Sequence, residues 1–331
     1  MSGPGVPATM RAAYVERLGP PEEIRIGELP VPVPGPTDVL VAVDLVAANP
    51  VDTFVRSGRY RTLVPFPFVV GRDLVGTVAA GGPGTPFESG ELVWANSLGH
   101  DGRQGSFAQY AVVPAERCYR LPEGADPALV VALAHPAATA YLGWFVHGGL
   151  RTGEVVYVGG GAGNVGMAAV SMERRAGAWV LASARPADHV RCRGAGAHAV
   201  VDYAAGDLAE RIRAAAPGAV DVFWDTSGHH DLDLAASVAA PGGRILMSGA
   251  QADRPALPVR ALYTRDVALR GFVISRATAA QLADAARLVC TMVAEGGLGA
   301  RISEILPLDA AAEVHARLEA GAVTGRLLLR P

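Results

Sequence analysis

The sequence predicts an α/β protein with two domains, an antiparallel barrel-like β module and a doubly wound parallel sheet. Three observations support this fold class. The 331 residues are too many for one ordinary hydrophobic core. Short apolar runs separated by Pro and Gly fill the first third of the chain. Strand-like and helix-like segments then alternate over most of the remainder.

The first third contains runs whose alternation and β-branched residues are typical of β-strands. These runs are MRAAYVE, DVLVAVDLVAA, LVGTVAA, ELVWANS and SFAQYAVVP. The segments PVPVPGPTD and GGPGTP lie between them and predict turns, because Pro and Gly favour turn geometry. Together these segments indicate an antiparallel, barrel-like module rather than a βαβ array.

The pattern changes after Leu121-Pro122, where a long helix-like segment, ALVVALAHPAATAYLGWFVHGG, begins. The strand-like segments that follow are EVVYVGG, WVLASA, AVVDY, VDVFWDTSG, RILMSGA and VALRGFVIS. The helix-like segments between them are VGMAAVSMERRAG, DHVRCRGAG, DLAERIRAAAPG and HDLDLAASVAAPGG. Regular alternation of this kind predicts a doubly wound parallel sheet.

The C-terminal stretch carries a long helical pattern, AAQLADAARLVCTMVAEGG, followed by a strand, the helix AAAEVHARLEAG and the strand TGRLLLRP. We expect this tail to pack on the first module. Residues 1–125 and 276–331 then form one domain, and residues 126–275 form an inserted nucleotide-binding domain.

Composition excludes several classes of function. The net charge is −3, with 29 basic residues, all of them Arg, and no basic run suggests nucleic-acid binding. The three cysteines lie far apart and fit neither a disulfide framework nor a four-cysteine zinc lobe. No apolar signal core opens the chain, and no apolar stretch approaches the ~20 residues that span a bilayer. We therefore expect a cytoplasmic protein without a membrane segment.

A glycine-rich loop joins a predicted strand to a predicted helix in the segment VVYVGGGAGNVGMAAV. Gly160, Gly163 and Gly166 would allow a tight turn and let the backbone approach a pyrophosphate at the helix N-terminus. An ordinary glycine-rich turn is the alternative. The βαβ context favours a dinucleotide site.

The end of the second strand predicts which dinucleotide binds. An Asp or Glu at this point would bind the ribose 2′-hydroxyl of NAD. This chain instead has Ser183 and Arg185, whose hydroxyl and guanidinium suit a 2′-phosphate. The alternative is that Arg185 binds no phosphate and is only a solvated residue at the start of a helix. We favour NADPH.

Four segments and several shorter motifs resemble one family over nearly the whole chain. The four are residues 48–60 (ANPVDTFVRSGRY), 71–76 (GRDLVG), 105–110 (GSFAQY) and 135–141 (HPAATAY). The glycine loop and the motifs Asp202-Tyr203, Gly242-Gly243-Arg244 and Thr324-Gly325-Arg326 extend the match. The chain thus resembles the zinc-free quinone oxidoreductase (zeta-crystallin-like) branch of the medium-chain dehydrogenase/reductase superfamily.

The resemblance implies a GroES-like catalytic domain, a Rossmann NADPH-binding domain and a homodimer paired through edge strands near residues 266–272. It also implies a set of residues that contact NADPH, from the nicotinamide to the 2′-phosphate. These are Thr139, Gly163, Val165, Gly166, Ser183, Tyr203, Thr226, Gly249, Phe272, Val273 and Arg326.

This sequence departs from the patterns of its relatives at several points. Zinc-dependent relatives have a Cys near Asn49 and a His in the position of Arg72, so a tetrahedral zinc site is not expected here. His100-Asp101 is a weak substitute, because a His-Asp pair in a glycine-rich loop is usually solvated. The Lys that relatives commonly have near His189 is missing, and Asn164 occupies a position where relatives commonly have Gly.

Without a metal, the protein must align the nicotinamide with an electron-poor acceptor and donate hydrogen bonds to the developing oxyanion. Asn49, Asp52 and Tyr60 are the candidates for this role, because they lie in the signature segment. Each has a structural alternative. Asn49 would shape a turn, Asp52 would cap a helix, and Tyr60 would pack with its hydroxyl satisfied. Phe54 replaces a Tyr that is common in relatives.

The leading hypothesis is reduction of a quinone or similar electron-poor carbonyl compound by NADPH. An enoyl or 2-alkenal reductase shares the fold and cofactor, but it must also protonate the α-carbon of its substrate. A non-catalytic NADPH-binding protein is the third hypothesis, because fold alone does not fix function.

Overall fold

The computed structural model describes residues 5–250 and 254–331. The chain divides into two compact units. The first contains the chain through His135 together with Leu282–Ala294 and Ala300–Pro331, and the second contains Pro136–Gln281 and Glu295–Gly299. The first boundary therefore lies at residue 135 rather than 125. Residues 1–4 of the expected first domain lie outside the described residues.

The first unit contains most of the antiparallel strands. In its described residues they are β1 (Thr9–Val15), β2 (Arg25–Pro30), β3 (Asp38–Ala47), β4 (Phe68–Val69), β5 (Asp73–Gly81), β6 (Leu92–Ala95), β7 (Tyr110–Pro114), β8 (Tyr119–Arg120), β15 (Ile302–Pro307) and β16 (Arg326–Arg330). Three strands form one sheet in the order β2-β1-β4. A second sheet has the order β15-β16-β3-β5-β6-β8, with β7 also paired to β3. Apolar side chains of both sheets form one core that includes Val41, Leu74, Phe107 and Leu329.

Strand β3 shows why these sequences form a barrel-like module. Val39, Val41 and Val46 are fully buried, whereas the side chain of Asp44 on the same strand is exposed. Strand β3 pairs with β5, β7 and β16, all in antiparallel fashion. The C-terminal strand β16 therefore joins the N-terminal part of the chain in one sheet, as the sequence predicts.

The second unit contains the parallel sheet. Its strands are β9 (Val155–Gly159), β10 (Trp179–Ser183), β11 (Ala199–Val201), β12 (Val220–Asp225), β13 (Ala239–Met247) and β14 (Ala268–Gly271). Their order is β11-β10-β9-β12-β13-β14, and every pairing is parallel. This is the order of a doubly wound dinucleotide-binding sheet. All five residues of β9 are buried, as expected for a central parallel strand.

The helices connect and cover these strands. They are α1 (Pro50–Ser57), α2 (Pro127–Tyr141), α3 (Asn164–Ala176), α4 (His189–Gly194), α5 (Leu208–Ala215), α6 (Leu232–Val238), α7 (Val259–Tyr263), α8 (Ala279–Ala294) and α9 (Ala311–Glu319). A π-helical segment, Leu142–Gly148, continues α2, and Trp144 within it packs edge-on against Trp224 at 5.0 Å.

The structure corrects the expectation about apolar segments. The continuous helix Pro127–Gly148 has 22 residues and is long and apolar enough to cross a membrane. However, 72% of its most apolar window is buried inside the protein. A mostly buried helix of this kind is typical of the core of a globular protein. Pro136 lies inside the helix.

A second correction concerns residues 239–243, which the sequence places at the end of a helix. Helix α6 ends at Val238, and Ala239 already begins β13. Gly242 has a φ of +72°, and its N–H donates to the carbonyl oxygen of Arg265 at 2.8 Å. Proline at 241 and a positive φ at 242 are both incompatible with a continuing helix.

Candidate functional site

The glycine loop lies between β9 and α3 in the second unit. Gly160 has a φ of +66°, and the N–H of Gly161 donates to the carbonyl oxygen of Ser183 at 2.8 Å. Gly163 precedes α3, whose first turn leaves backbone N–H groups without a partner inside the helix. These groups and the positive end of the helix dipole are suited to an anion.

Close packing requires glycine at two positions of this loop. A Cβ atom on Gly166 would overlap the carbonyl oxygen of Gly160 and lie 2.8 Å from the Cα of Gly161. A Cβ atom on Gly161 would lie 2.8 Å from the Cβ of Ala182 on the neighbouring strand. The loop, α3 and β10 therefore approach one another so closely that the backbone itself forms the site.

Side chains at later strand ends reach the same loop. The hydroxyl of Thr226, which follows β12, donates to the carbonyl oxygen of Gly159 at 2.8 Å. A Cβ atom on Gly160 would lie 3.2 Å from this hydroxyl. The Thr226 hydroxyl thus lies at Gly159 and Gly160 of the glycine loop, where the N–H of Gly163 also donates to the carbonyl oxygen of Gly160 at 2.9 Å. The carboxyl ends of β9 and β12 flank the point where strand order reverses, where open α/β sheets bind ligands.

The second strand end differs from expectation in one respect. Ser183 is only 1% exposed, and its Oγ accepts a hydrogen bond from the Tyr157 hydroxyl at 2.8 Å. Because side chains alternate along a strand, Ser183 lies on the same face as Leu181, within the core of the sheet. Its hydroxyl is therefore not presented to a phosphate in this structure.

Arg185 and its neighbours form the accessible part of this strand end. The Arg185 side chain is 62% exposed and pairs with Asp188 at 3.4 Å. The guanidinium of Arg191 donates to the carbonyl oxygen of Ala162 at 3.1 Å and so braces the glycine loop. Tyr203 is 49% exposed. Sequence reasoning missed the bracing role of Arg191, although a basic residue on the helix after the second strand was a visible signal.

The remaining predicted cofactor residues of the second unit lie on different elements. Gly249 has a φ of +65°, and its carbonyl oxygen contacts His230 at 2.7 Å. Phe272 follows β14 and stacks on His147 with ring centroids 4.7 Å apart, and Val273 comes next in extended conformation. Thr139 lies on α2 and is 8% exposed.

In the first unit, a buried polar network surrounds Asn49. The Asn49 side-chain amide donates to Asp73 Oδ2 at 2.8 Å, and its oxygen accepts from the Arg326 guanidinium at 2.8 Å. Arg326 and Asp73 are also an ion pair at 3.8 Å, with side chains 3% and 0% exposed. Arg326, expected from the resemblance to contact NADPH, is therefore engaged with Asn49 and Asp73 in this structure.

Asp52 belongs to the same network and also begins helix α1. Its Oδ2 accepts a hydrogen bond from the backbone N–H of Asn49 at 2.8 Å, which completes a capping box. Burial raises the pKa of Asp52 to about 6, although the Asn49 hydrogen bond and the charge of Arg72 act in the opposite direction. In this structure Asp52 therefore caps helix α1, which the sequence analysis gave as the alternative to a catalytic role.

Asp73 is the most strongly perturbed carboxyl group of this network. Burial raises its pKa to about 8, and the charge of Asp52 adds to the rise, whereas Arg326 opposes it. Arg72 is buried nearby, where desolvation lowers its pKa and Asp52 and Asp73 favour its charged form. Two buried carboxyl groups and two buried guanidinium groups thus form one electrostatic unit beside α1.

Tyr60 lies at the border of this network. It follows α1, and its N–H donates to the carbonyl oxygen of Phe54 at 2.9 Å. Its half-buried ring packs against the barrel core and lies 5.7 Å from the ring of His100. Of the three predicted catalytic residues, the structure buries Asn49 and Asp52 and leaves Tyr60 partly accessible.

Comparison with known proteins agrees with both units. The alcohol dehydrogenase GroES-like domain family matches residues 35–123, and the zinc-binding dehydrogenase family matches residues 195–329. A quinone oxidoreductase of Pongo abelii is 27% identical over 325 residues, which are 97% of each chain. Prostaglandin reductase-3 of Bos taurus is 30% identical over 289 residues, which are 82% of this chain and 74% of that protein.

Solved structures match the fold over almost the entire chain. An NAD-dependent alcohol dehydrogenase has a TM-score of 0.87 at 29% identity, covering 97% of this chain and 100% of its own. A mycobacterial protein solved in complex with NADPH has a TM-score of 0.84 at 26% identity, with the same coverage. The chain belongs to the medium-chain dehydrogenase/reductase superfamily. Its relatives within this superfamily include quinone oxidoreductases at 27% identity over nearly the full length, and the predicted superfamily and fold class are confirmed. It is an oxidoreductase that uses a nicotinamide cofactor and acts on a small molecule.

One matching family of this superfamily is named for zinc, but the residues here do not suit a zinc ion. The amide of Asn49 is already bonded to Asp73 and Arg326, and Arg72 is a buried cation that cannot act as a ligand. Within residues 5–250 and 254–331, no group of three or more His, Cys, Asp or Glu side chains could hold a metal ion.

Proposed function

We propose that this chain uses NADPH to reduce a quinone or a similar electron-poor carbonyl compound, without a metal. The observation that carries the choice of NADPH is the end of β10, where an exposed Arg185 follows Ser183 and Ala184 and no carboxylate stands at the strand end. A 2′-phosphate would compete with Asp188 for the Arg185 guanidinium and gain charge-assisted hydrogen bonds. The bound cofactor would supply a hydride from its nicotinamide ring.

The residues proposed to hold NADPH are those that the sequence analysis named. The glycine loop with Gly160, Gly163, Val165 and Gly166 would bind the pyrophosphate, and Thr226 and Gly249 would close over it from later strand ends. Tyr203 would lie beside the 2′-phosphate. Thr139, Phe272 and Val273 would flank the nicotinamide. Because Ser183 and Arg326 are engaged inside the protein, their roles would be to fix the geometry rather than to contact NADPH.

On the acceptor side, Tyr60 is the proposed hydrogen-bond donor to the carbonyl oxygen that gains negative charge. Asn49 and Asp52 would position it, because they fix the start of α1 and the backbone of Tyr60 is bonded to Phe54 on that helix. Burial of Asn49 and Asp52 leaves neither side chain accessible to a substrate.

Reduction of an α,β-unsaturated carbonyl compound is the second candidate. The 30% identity to a prostaglandin reductase-3 over 82% of this chain favours it. The same donor would bind the carbonyl oxygen of an enone, and a further proton would have to reach the α-carbon.

The test follows NADPH absorbance with purified protein against 1,4-benzoquinone, 9,10-phenanthrenequinone and a set of enones, with NADH in parallel. Turnover of quinones with NADPH, and slower turnover with NADH, is the expected result. Turnover restricted to activated alkenes would replace the first candidate by the second. Equal rates with NADH would contradict the choice of cofactor.

Arg185→Ala tests the cofactor choice at the residue that carries it. We expect the KM for NADPH to rise about tenfold, because a charge-assisted hydrogen bond is lost, and the KM for NADH to stay unchanged. Arg193→Ala, an exposed arginine on α4 close to the same strand end, is the matched control and should change neither. Equal changes for both cofactors would refute the role of Arg185.

We also infer a homodimer formed through the edge of the parallel sheet. In the described residues, β14 pairs only with β13, so its outer edge is open. Leu257, Val259 and Tyr263 lie shortly before this strand and are 51%, 58% and 67% exposed. An open, partly apolar edge favours pairing with a second copy. Light scattering should give twice the chain mass of 34.1 kDa, and the monomer mass would contradict the dimer.

A cytoplasmic location is consistent with the state of the cysteines. Cys118, Cys192 and Cys290 are all free, and the first two are buried. Free thiols are usual in proteins of reducing compartments, whereas secreted domains commonly pair them.

A further inference from the structure

The loop of residues 97–104, called here the His100 loop, is fixed near its start and at its tip. Near its start, the N–H of Leu98 donates to the carbonyl oxygen of Arg72 at 3.2 Å. At its tip, the N–H of Asp101 donates to the Thr62 hydroxyl, and the N–H of Gly102 donates to the carbonyl oxygen of Leu63, both at 2.9 Å. The loop is thus held on the segment that follows Tyr60.

The backbone of this loop is strained where it presents His100. Asp101 has a φ of +54°, a left-handed conformation that is uncommon for residues other than Gly. Gly99 has a φ of +63°, and a Cβ atom there would lie 2.5 Å from the carbonyl oxygen of Gly71. Strained backbone persists where its surroundings determine it, and it is concentrated at functional sites.

The His100 side chain is half-buried and points to the border of the ion network. Its ring lies 5.7 Å from the Tyr60 ring at an interplanar angle of 49°. Its Nδ1 atom is buried and has no hydrogen-bond partner. A buried polar atom without a partner is destabilising, so this ring has hydrogen-bonding capacity that the protein itself does not satisfy.

Burial and the arginine charges around His100 keep the ring neutral. Burial lowers the pKa of His100 to about 4, the nearby Arg72 and Arg103 lower it further, Asp101 raises it, and Arg117 lowers it. A neutral imidazole carries one N–H donor. The surplus of arginine charge around it favours an oxygen that becomes negative.

We propose that His100 is a second hydrogen-bond donor, beside Tyr60, to the carbonyl oxygen of the acceptor. This inference rests on the proposed function and adds a residue that the sequence analysis considered only as a metal ligand. The acceptor gains two electrons as a hydride from NADPH and one proton from water, so that NADPH, quinone and H⁺ give NADP⁺ and hydroquinone. His100 forms and breaks no covalent bond in this step. Its N–H stabilises the negative oxygen until the proton arrives.

Three variants test this proposal by turnover. His100→Phe keeps a planar ring without a donor, His100→Gln restores an N–H donor, and Asp101→Asn is the control on the same loop, because Asn tolerates the left-handed conformation. We expect His100→Phe to lower kcat with 1,4-benzoquinone about tenfold, His100→Gln to recover most of it, and Asp101→Asn to leave it unchanged. NADPH affinity should be the same in all three. Equal losses in His100→Phe and His100→Gln would indicate a packing role and overturn the proposal.

A binding measurement without turnover separates this proposal from the proposed function. The probe is 4-nitrophenol, whose phenolate absorbs visible light and resembles the negative oxygen of the acceptor. We expect wild-type protein to bind the phenolate and to lower the apparent pKa of the bound phenol, and His100→Phe to weaken phenolate binding about tenfold. If the protein shows no reductase activity but binds the phenolate in a His100-dependent manner, the proposed function is refuted and the role of His100 as a donor stands. Binding that is absent in wild type or unaffected by His100→Phe would overturn the role of His100.

Discussion

At the start of α3 the proposed cofactor site consists of backbone groups and glycines, whereas beside α1 the chain buries two aspartates, two arginines and an asparagine. Side chains are almost absent from the first site, because even a methyl group on Gly166 would overlap the loop. In the second site the side chains bond mainly to one another, as Asn49 does to Asp73 and Arg326. A glycine pattern marks the first kind of site in a sequence. The second kind depends on contacts between distant positions.

The largest expected effect comes from breaking the buried network. Asp73→Ala removes the hydrogen-bond partner of the Asn49 amide and the acidic partner of the buried Arg326 guanidinium. We expect the free energy of unfolding to fall by about 3–5 kcal/mol, as for other buried pairs that lose one member. Chemical denaturation monitored by fluorescence would measure this loss.

Asp284→Ala is the control for this experiment, because it also removes one member of an Asp–Arg pair. Its side chain and that of Arg287 are 45% and 75% exposed. Exposed ion pairs contribute little to stability, so we expect the free energy of unfolding to change by no more than about 0.5 kcal/mol. If Asp73→Ala were no more destabilising than this control, the network would not be an electrostatic unit.

An intermediate effect is expected from adding one methyl group to the backbone site. Gly166→Ala would force the start of α3 away from Gly160. We expect the Kd for NADPH to rise about 10- to 100-fold, because overpacking of this size costs about 1–3 kcal/mol. Fluorescence titration would measure it. Gly218→Ala is the control, because the added methyl group would have no atom within 4 Å, and it should leave the Kd for NADPH unchanged. An unchanged Kd in Gly166→Ala would contradict the close approach of Gly166 to the backbone of Gly160.

The effect that is smallest at neutral pH concerns another buried polar group of the first unit, His315 on α9. Burial lowers its pKa to about 3, and the charge of Arg56 acts in the same direction. Between about pH 3 and 6.5, the unfolded chain therefore binds a proton that the folded chain does not. Stability falls by about 1.4 kcal/mol per pH unit as the pH decreases through this range.

His315→Leu removes this proton-binding group and keeps an apolar contact for Phe107, whose ring lies 5.9 Å from that of His315. Denaturation at pH 7 and pH 5 should show a smaller loss of stability in the variant than in wild type. His229→Asn, at an exposed histidine, should retain the wild-type loss. The same pH dependence in wild type and His315→Leu would show that His315 does not titrate as expected.

The sequence was sufficient for the fold because its signals are local. Apolar runs of strand length alternate with helical periodicity, and this alternation predicted the parallel sheet. The burial of Ser183 was also readable, since a strand residue two positions after Leu181 lies on the same face. The short strands β2, β4 and β8 were not predicted, because their pairing depends on neighbours and not on their own composition.

The buried network was not predictable for a different reason. Arg326 is separated from Asn49 by 277 positions, and no spacing rule relates residues at that distance. The motif at residues 71–76 drew attention to Arg72 and Asp73, but it did not indicate that Asp73 binds Asn49 and pairs with Arg326. The position of His100 depends on a loop held by backbone hydrogen bonds to Leu63 and Arg72. Such contacts follow from the folded chain and not from residue types.

The three thiols determine how this protein tolerates its own proposed substrates. Burial raises the pKa of Cys118 to about 12 and that of Cys192 to about 11, and it also raises the pKa of Cys290. Quinones and enones alkylate thiolates, and at neutral pH these cysteines are almost entirely protonated. The chain also has no lysine amine. Its side chains therefore offer electrophiles few nucleophiles, and repeated turnover should leave the protein chemically intact.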